Sequence, residues 1–142
     1  MRLFDWFRRR RKAPEAEKSS EKEGVEKAEP DLKAICSDDP EAYKALFDTM
    51  FLTPDRIGKS SDDAAGEAEK REEEGDIVGA AANYRIAGGL AIYEGDVEKV
   101  KRYFGKYAEL TGRKVKILEI PERAVEKARE YYRAREATHQ KA

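Results

Sequence analysis

Two Gly-Asp pairs set twenty residues apart, Gly75-Asp76 and Gly95-Asp96, constrain this chain more than any other feature. A glycine just past the end of a helix takes the left-handed conformation that closes it. An aspartate that follows can accept hydrogen bonds from the first free N–H groups of the next helix. Each pair therefore stops one helix and starts another within two residues. The sequence repeats around them: Gly75-Asp76-Ile77, Ala80, Tyr84 and Leu90 match Gly95-Asp96-Val97, Val100, Phe104 and Leu110. Helices joined by so short a turn run back along their neighbours. The predicted fold is all-α, built of antiparallel helical hairpins, with four to five helices in a domain spanning 31–137.

Other segments fit the same plan. Asp39-Pro40 is a helix start, an N-cap followed by proline at the first helical position. Behind it Tyr43, Leu46, Phe47, Met50 and Phe51 fall at i, i+3, i+4, i+7 and i+8 and predict one amphipathic stripe. Ser60–Asp63 supplies caps for a helix whose apolar face, Ala64, Ala65 and Ala68, is made of small residues. Gly79, Gly88 and Gly89 fall inside a helix, where glycine costs about 1 kcal/mol against alanine, so they read as points of close helix approach. Val115, Ile117, Leu118 and Ile120 read as a loop packed on the core, since a lone strand has no partner. Pro121 opens a last helix with Ala124, Val125, Ala128, Tyr131 and Tyr132 inward.

The stretch Ser61–Glu94 resembles a tetratricopeptide repeat. Such repeats place a small residue in the first helix, glycine between the helices, then alanine, an aromatic and alanine in the second. Here those are Ala68, Gly75, Ala80, Tyr84 and Ala87. A poorer second unit runs to about Arg135. Three or more repeats normally make a solenoid, so a tetratricopeptide-like bundle is expected in place of an array. The resemblance implies a peptide- or protein-binding scaffold and not an enzyme.

Ahead of the domain lie two segments of different character. In 1–12, Leu3, Phe4, Trp6 and Phe7 precede an unbroken run of Arg8, Arg9, Arg10, Arg11 and Lys12. On a helix the apolar residues share one broad face. Such a segment suits a membrane interface, with the cations adding attraction to anionic lipid. It would serve next best as a protein-docking motif, and third as a nucleic-acid arm, because arginine runs also bind phosphate. Segment 13–30 has no aromatic residue and too little apolar surface to offset its ordering entropy, and reads as a disordered charged linker. Residues 138–142 read as a frayed tail.

Several function classes are not expected. The lone histidine, His139, lies in that tail, and the lone cysteine, Cys36, has no histidine near it in sequence. No phosphate-loop spacing, metal motif or inward Glu-x-x-His pair occurs. The chain therefore reads as non-enzymatic, with no catalytic residues, cofactor, metal or small-molecule substrate. The run Glu72–Glu74 reads as a solvated face. Of the seven tyrosines, Tyr84 and Tyr107 read as core residues. Adjacent residues cannot share a helix face, so one of Tyr131 and Tyr132, and one of Tyr103 and Phe104, is expected outward. With Tyr93, these outward aromatics form the expected partner surface: Tyr93, Tyr103, Tyr131 and Tyr132.

Basic and acidic residues nearly cancel, 29 against 30, which argues against a whole-surface nucleic-acid binder. Only Asn83 and Gln140 carry side-chain amides among abundant Glu, Lys and Arg, a balance typical of hyperthermophile proteins. With no secretory apolar run and no membrane-length stretch, the chain reads as cytoplasmic, possible contact with the inner membrane face being peripheral. The leading expectation is an adaptor: a helical body that binds a protein partner, held at an anionic membrane by 1–12. Alternatives are a nucleic-acid- or ribosome-associated factor, using Arg8–Lys12 with Arg113, Lys114 and Lys116, and an accessory subunit of a larger assembly.

Overall fold

The computed structural model describes residues 30–140, with side chains to 137. The N-terminal segment 1–12 and nearly all of the linker 13–30 lie outside the described residues. The described chain is helical, with no strand. Its elements are α1 (Leu32–Ile35), α2 (Pro40–Phe47), α3 (Pro54–Ile57), α4 (Ser61–Glu73), α5 (Ile77–Glu94), α6 (Val97–Thr111) and α7 (Pro121–Gln140), with a 3₁₀ turn at Lys116–Leu118. Asp31–Ala134 form one compact unit, whose packing follows; residues 135–140 belong to a separate unit and continue α7.

Capping chemistry places the helix starts. Asp39, Asp76 and Asp96 each accept a backbone N–H three residues on, from Ala42, Gly79 and Lys99. Ser60 and Asp63 form a reciprocal capping box at α4. Gly75 and Gly95, at φ 82° and 73°, take the left-handed turn that the Gly-Asp pairs predict.

Small residues set the spacing of the core. Ala64, Ala65 and Ala68 of α4 face Ala80, Ala87 and Ala91 of α5 and are all buried. Larger side chains fill what remains: Phe104, Leu46, Leu90, Ile92, Ile117 and Val100 are essentially sealed from solvent. Full burial of each contributes about 1.5–3 kcal/mol. At Gly88 a β-carbon would sit 2.6 Å from the Phe104 ring, and at Gly89 it would meet Leu52 and the Met50 carbonyl at 3.0 Å. The first glycine admits α6, and the second admits the loop before α3. Gly79 works differently: its missing side chain leaves room for the carboxylate of Asp76, its own helix cap, and for Arg71 of α4.

Two expectations are corrected. The stripe from Tyr43 to Phe51 is not one helix, because α2 ends at Phe47. There the Thr49 hydroxyl and amide both donate to the Leu46 carbonyl, at 2.8 and 3.0 Å, closing the last turn. The inner face of α2 is Ala42, Ala45 and Leu46, and Phe47 is 70% exposed. Ile77, whose helical spacing with Ala80, Ala81, Tyr84, Ala87 and Ala91 predicts an inward place, is likewise exposed. The 115–120 segment packs as the loop reading requires, with Ile117 fully buried in the 3₁₀ turn.

Ion pairs fasten α7 to the start of α2. Arg123 grips the Asp39 carboxylate, its Nε 2.9 Å from Oδ2, and Lys127 meets Asp38 at 2.7 Å. The Tyr132 hydroxyl donates to the Leu52 carbonyl at 2.8 Å. Among the described residues no buried polar side-chain atom lacks a hydrogen-bond partner.

The glycines of α4 and α5 give a test of opposite signs. Gly66 is exposed within α4 with open space around it. Gly66→Ala should stabilise the fold by about 0.5–1 kcal/mol through helix entropy. Gly88→Ala should cost about 1–3 kcal/mol by driving Phe104 out of place. Urea unfolding of both variants checks this; a stabilising Gly88→Ala would contradict the packing described.

Candidate functional site

A groove of about 580 Å³ opens where the first half of α5 lies beside the last turns of α6. Ile77, Val78, Ala81, Ala82, Arg85 and Ile86 line one wall; Tyr107, Leu110 and Thr111 line the other; Met50 and Arg113 sit at the ends. Local sequence explains each wall. Asp76 starts α5 so that Ile77 and Val78 occupy its first turn, where Val78 is 84% exposed. Spacings of three and four then keep Ala81, Ala82, Arg85 and Ile86 on the same side of α5. Gly112, at φ 70°, ends α6 and turns the chain so that Arg113 borders the groove. Gly89 brings Met50 within reach by letting its loop lie against α5.

The polar groups at the rim are held in place. An Arg85 Nη donates to the Asp48 carbonyl at 3.1 Å, and its guanidinium lies 6.0 Å from the Tyr107 ring centroid. Thr111 donates to the Tyr107 carbonyl at 2.7 Å and accepts the Arg113 amide at 3.2 Å. Neither Arg85 nor Arg113 forms an ion pair among the described residues. Two smaller hollows continue the surface, one through Arg85, Arg113 and Lys114, the other past Tyr43, Phe47 and Lys116. Phe47, Ile77 and Val78, the large exposed apolar residues of the described chain, all line this run of hollows. Contiguous exposed apolar surface marks a contact. No carboxylate side chain lines the main groove, and the arrangement offers apolar packing and cationic recognition, with no nucleophile–base pair.

The expected partner tyrosines lie elsewhere, and the expectation that one member of each adjacent aromatic pair faces outward is corrected. Tyr103, Tyr131 and Tyr132 are 5%, 9% and 6% exposed, and Phe104 is buried beside Tyr103. Adjacent residues are both buried because two neighbours flank each helix. Phe104 packs at Gly88 of α5 while the Tyr103 hydroxyl reaches Asp62 of α4 at 2.8 Å. On α7, Phe51 meets Tyr131 with ring centroids 4.3 Å apart, and Tyr93 meets Tyr132 at 5.1 Å. Tyr93, Tyr131 and Tyr132 thus come together with Phe51 as an aromatic cluster, and Tyr103 stands apart. Leu3, Phe4, Trp6, Phe7 and Arg8–Lys12 lie outside the described residues. The backbone at His139 is helical. Cys36 is buried, and burial raises its thiol pKa. Among the described residues no group of three or more His, Cys, Asp or Glu side chains is placed to hold a metal ion.

Polar ties at both ends of the α4–α6 layer were not foreseen. At one end Ser61 of α4 gives its amide and hydroxyl to Glu94 of α5, at 3.2 and 2.8 Å. Lys99 of α6 bridges Glu94 and Asp62. At the other, Glu72 accepts the Tyr84 hydroxyl at 3.2 Å and pairs with Lys106 at 3.1 Å. Glu72 is therefore a structural acceptor and not the solvated face expected of the Glu72–Glu74 run. Burial, then this hydrogen bond, pushes the Tyr84 hydroxyl up to about 12. The signal was available in principle: Asp62 and Glu72 are ten residues apart, nearly three helical turns, and so share one side of α4.

Comparison with known proteins gives no match to a family model, a curated protein or a solved structure.

Four aspartates carry a pH prediction. The Tyr103 hydroxyl and then Lys99 hold Asp62 below its ordinary value. Lys127 does so for Asp38, Arg123 for Asp39, and the Gly79 amide followed by Arg71 for Asp76. Each carboxylate binds its proton less readily folded than unfolded, so the stability it gives is present above about pH 4 and is lost as pH falls below that. Urea midpoints should hold steady from neutrality to about pH 5 and drop steadily towards pH 2. A flat profile would show that these contacts contribute nothing.

Proposed function

We propose that this chain is a non-enzymatic adaptor whose helical body binds a segment of a protein partner in the α5–α6 groove. The observation that carries the reading is the groove itself. It combines an apolar lining, a first helical turn with Val78 standing 84% exposed, and two guanidiniums that form no ion pair among the described residues. An exposed valine at a groove entrance adds nothing to the stability of the isolated body, and apolar surface rimmed by polar groups suits a contact. The tetratricopeptide-like spacing of Ala68, Gly75, Ala80, Tyr84 and Ala87 supports the same class of function: a bundle of helical hairpins presenting an inter-helix groove.

The second element of the reading is tethering. Leu3, Phe4, Trp6 and Phe7 supply an interfacial face, and Arg8, Arg9, Arg10, Arg11 and Lys12 supply attraction to anionic lipid. No described helix is long and apolar enough to cross a membrane, and in this reading 1–12 holds the body peripherally at the cytoplasmic face. The nucleic-acid alternative is weaker on one count. Lys116, part of its second basic cluster, is paired with Glu41 at 3.2 Å, which leaves Arg113 and Lys114 to carry it.

Two measurements test the two elements. A photo-crosslinking amino acid at position 78 of the full chain should trap a discrete protein in cells, and no adduct above background would defeat the groove reading. In co-sedimentation with phosphatidylglycerol vesicles, the Trp6→Ala, Phe7→Ala double variant should lose most of its bound fraction. Unchanged partition would remove the membrane tether.

A further inference from the structure

Resting on the reading of the α5–α6 groove as a partner site, we propose that its occupant is an amphipathic helix carrying carboxylates on the flanks of its apolar stripe. The α5 wall spans ten residues from Ile77 to Ile86, about 13 Å, the length of two to three helical turns. Its first turn is apolar at Ile77 and Val78, and the next lining residues, Ala81 and Ala82, are small enough to admit the ridge of another helix. An apolar stripe at i, i+3, i+4 and i+7 fits such a trough.

Charge decides the flanks. Arg85 is held over Tyr107 by the Asp48 carbonyl, and Arg113 stands at the end of α6. Elsewhere in this chain cations readily find carboxylates, as at Arg71, Lys106, Arg123 and Lys127. Among the described residues neither groove arginine meets a carboxylate, and guanidinium geometry favours one. The chain's own segment 1–12 would bring Arg8–Lys12 against these like charges. A second copy of the body could offer the acidic surface of α4, but the apolar residues of that helix, Ala64, Ala65 and Ala68, are already buried. A bilayer is met by a projecting surface and not by a trough.

The test is selection of a displayed library of helical peptides against the full chain. Leucine is fixed at i, i+3, i+4 and i+7, and Glu, Lys or Gln is allowed at all other positions. Glu should be enriched over Lys about tenfold beside the stripe, as two exposed ion pairs permit. Arg85→Glu with Arg113→Glu should reverse the preference towards Lys. Val78→Asp, at a site too exposed to disturb the fold, should abolish enrichment. Selection that depends on Val78 but shows no preference, or prefers Lys, overturns the acidic helix and leaves the groove as a protein site. No Val78-dependent enrichment overturns both. In that case, a fall in binding to phosphatidylglycerol vesicles on Val78→Asp would reassign this face to lipid.

Discussion

The contact between Gly88 and Phe104 sets the distance between α5 and α6, and much else follows from that distance. A ring lies where any side chain at position 88 would have to be. The ring takes the space that a side chain at 88 would fill, and buried alanines of α4 and α5 complete the core around it. Further along the same pair, Ala81 and Ala82 meet Tyr107 and Leu110 without closing the gap between them, and the gap is the groove. Core and candidate site are thus two stretches of one helix pair, one sealed by an aromatic ring and one left open.

The Gly-Asp punctuation made the middle of the fold legible because both halves of the signal are local. A glycine closes a helix by its own dihedral angles, and an aspartate caps through its own carboxylate. Glycine inside α5 was legible for a related reason: its energetic cost demands a packing explanation, and Gly88 and Gly89 supply one. Periodicity was less informative. It ran α2 on through Met50 and Phe51, although the chain leaves the helix at Asp48, because a stripe of apolar residues does not reveal where hydrogen bonding stops.

The aromatic pairs misled for a physical reason. That neighbouring residues point to different sides of a helix is sound for a helix flanked by one partner. Tyr103 and Phe104 are flanked by α4 and α5, and Tyr131 and Tyr132 by Phe51 and Tyr93, so both sides are interior. The number of neighbours is a property of the tertiary fold and is not written in a local window. The groove was hidden for the same reason: it is made by α5 and α6 together with Met50 from a distant loop. One hint was available. Ile77 and Val78 are consecutive apolar residues in a first helical turn, so one of them had to face away from the core, and the structure turns out both.

The clasp between α7 and the start of α2 bears on how the chain comes into being. Asp39 meets Arg123 across 84 residues, Asp38 meets Lys127 across 89, and Leu52 meets Tyr132 across 80. The ties within α4–α6 span at most 41. During synthesis from the N-terminus, α4, α5 and α6 can assemble before α7 is made, but the clasp on α2 and its loop waits for α7. Phe51, which packs against Tyr131 and Tyr132, stays uncovered on that side until α7 leaves the ribosome, a window in which a nascent chain is open to chaperones and to misassociation. Completion of this body therefore waits for α7, which acts as its latch.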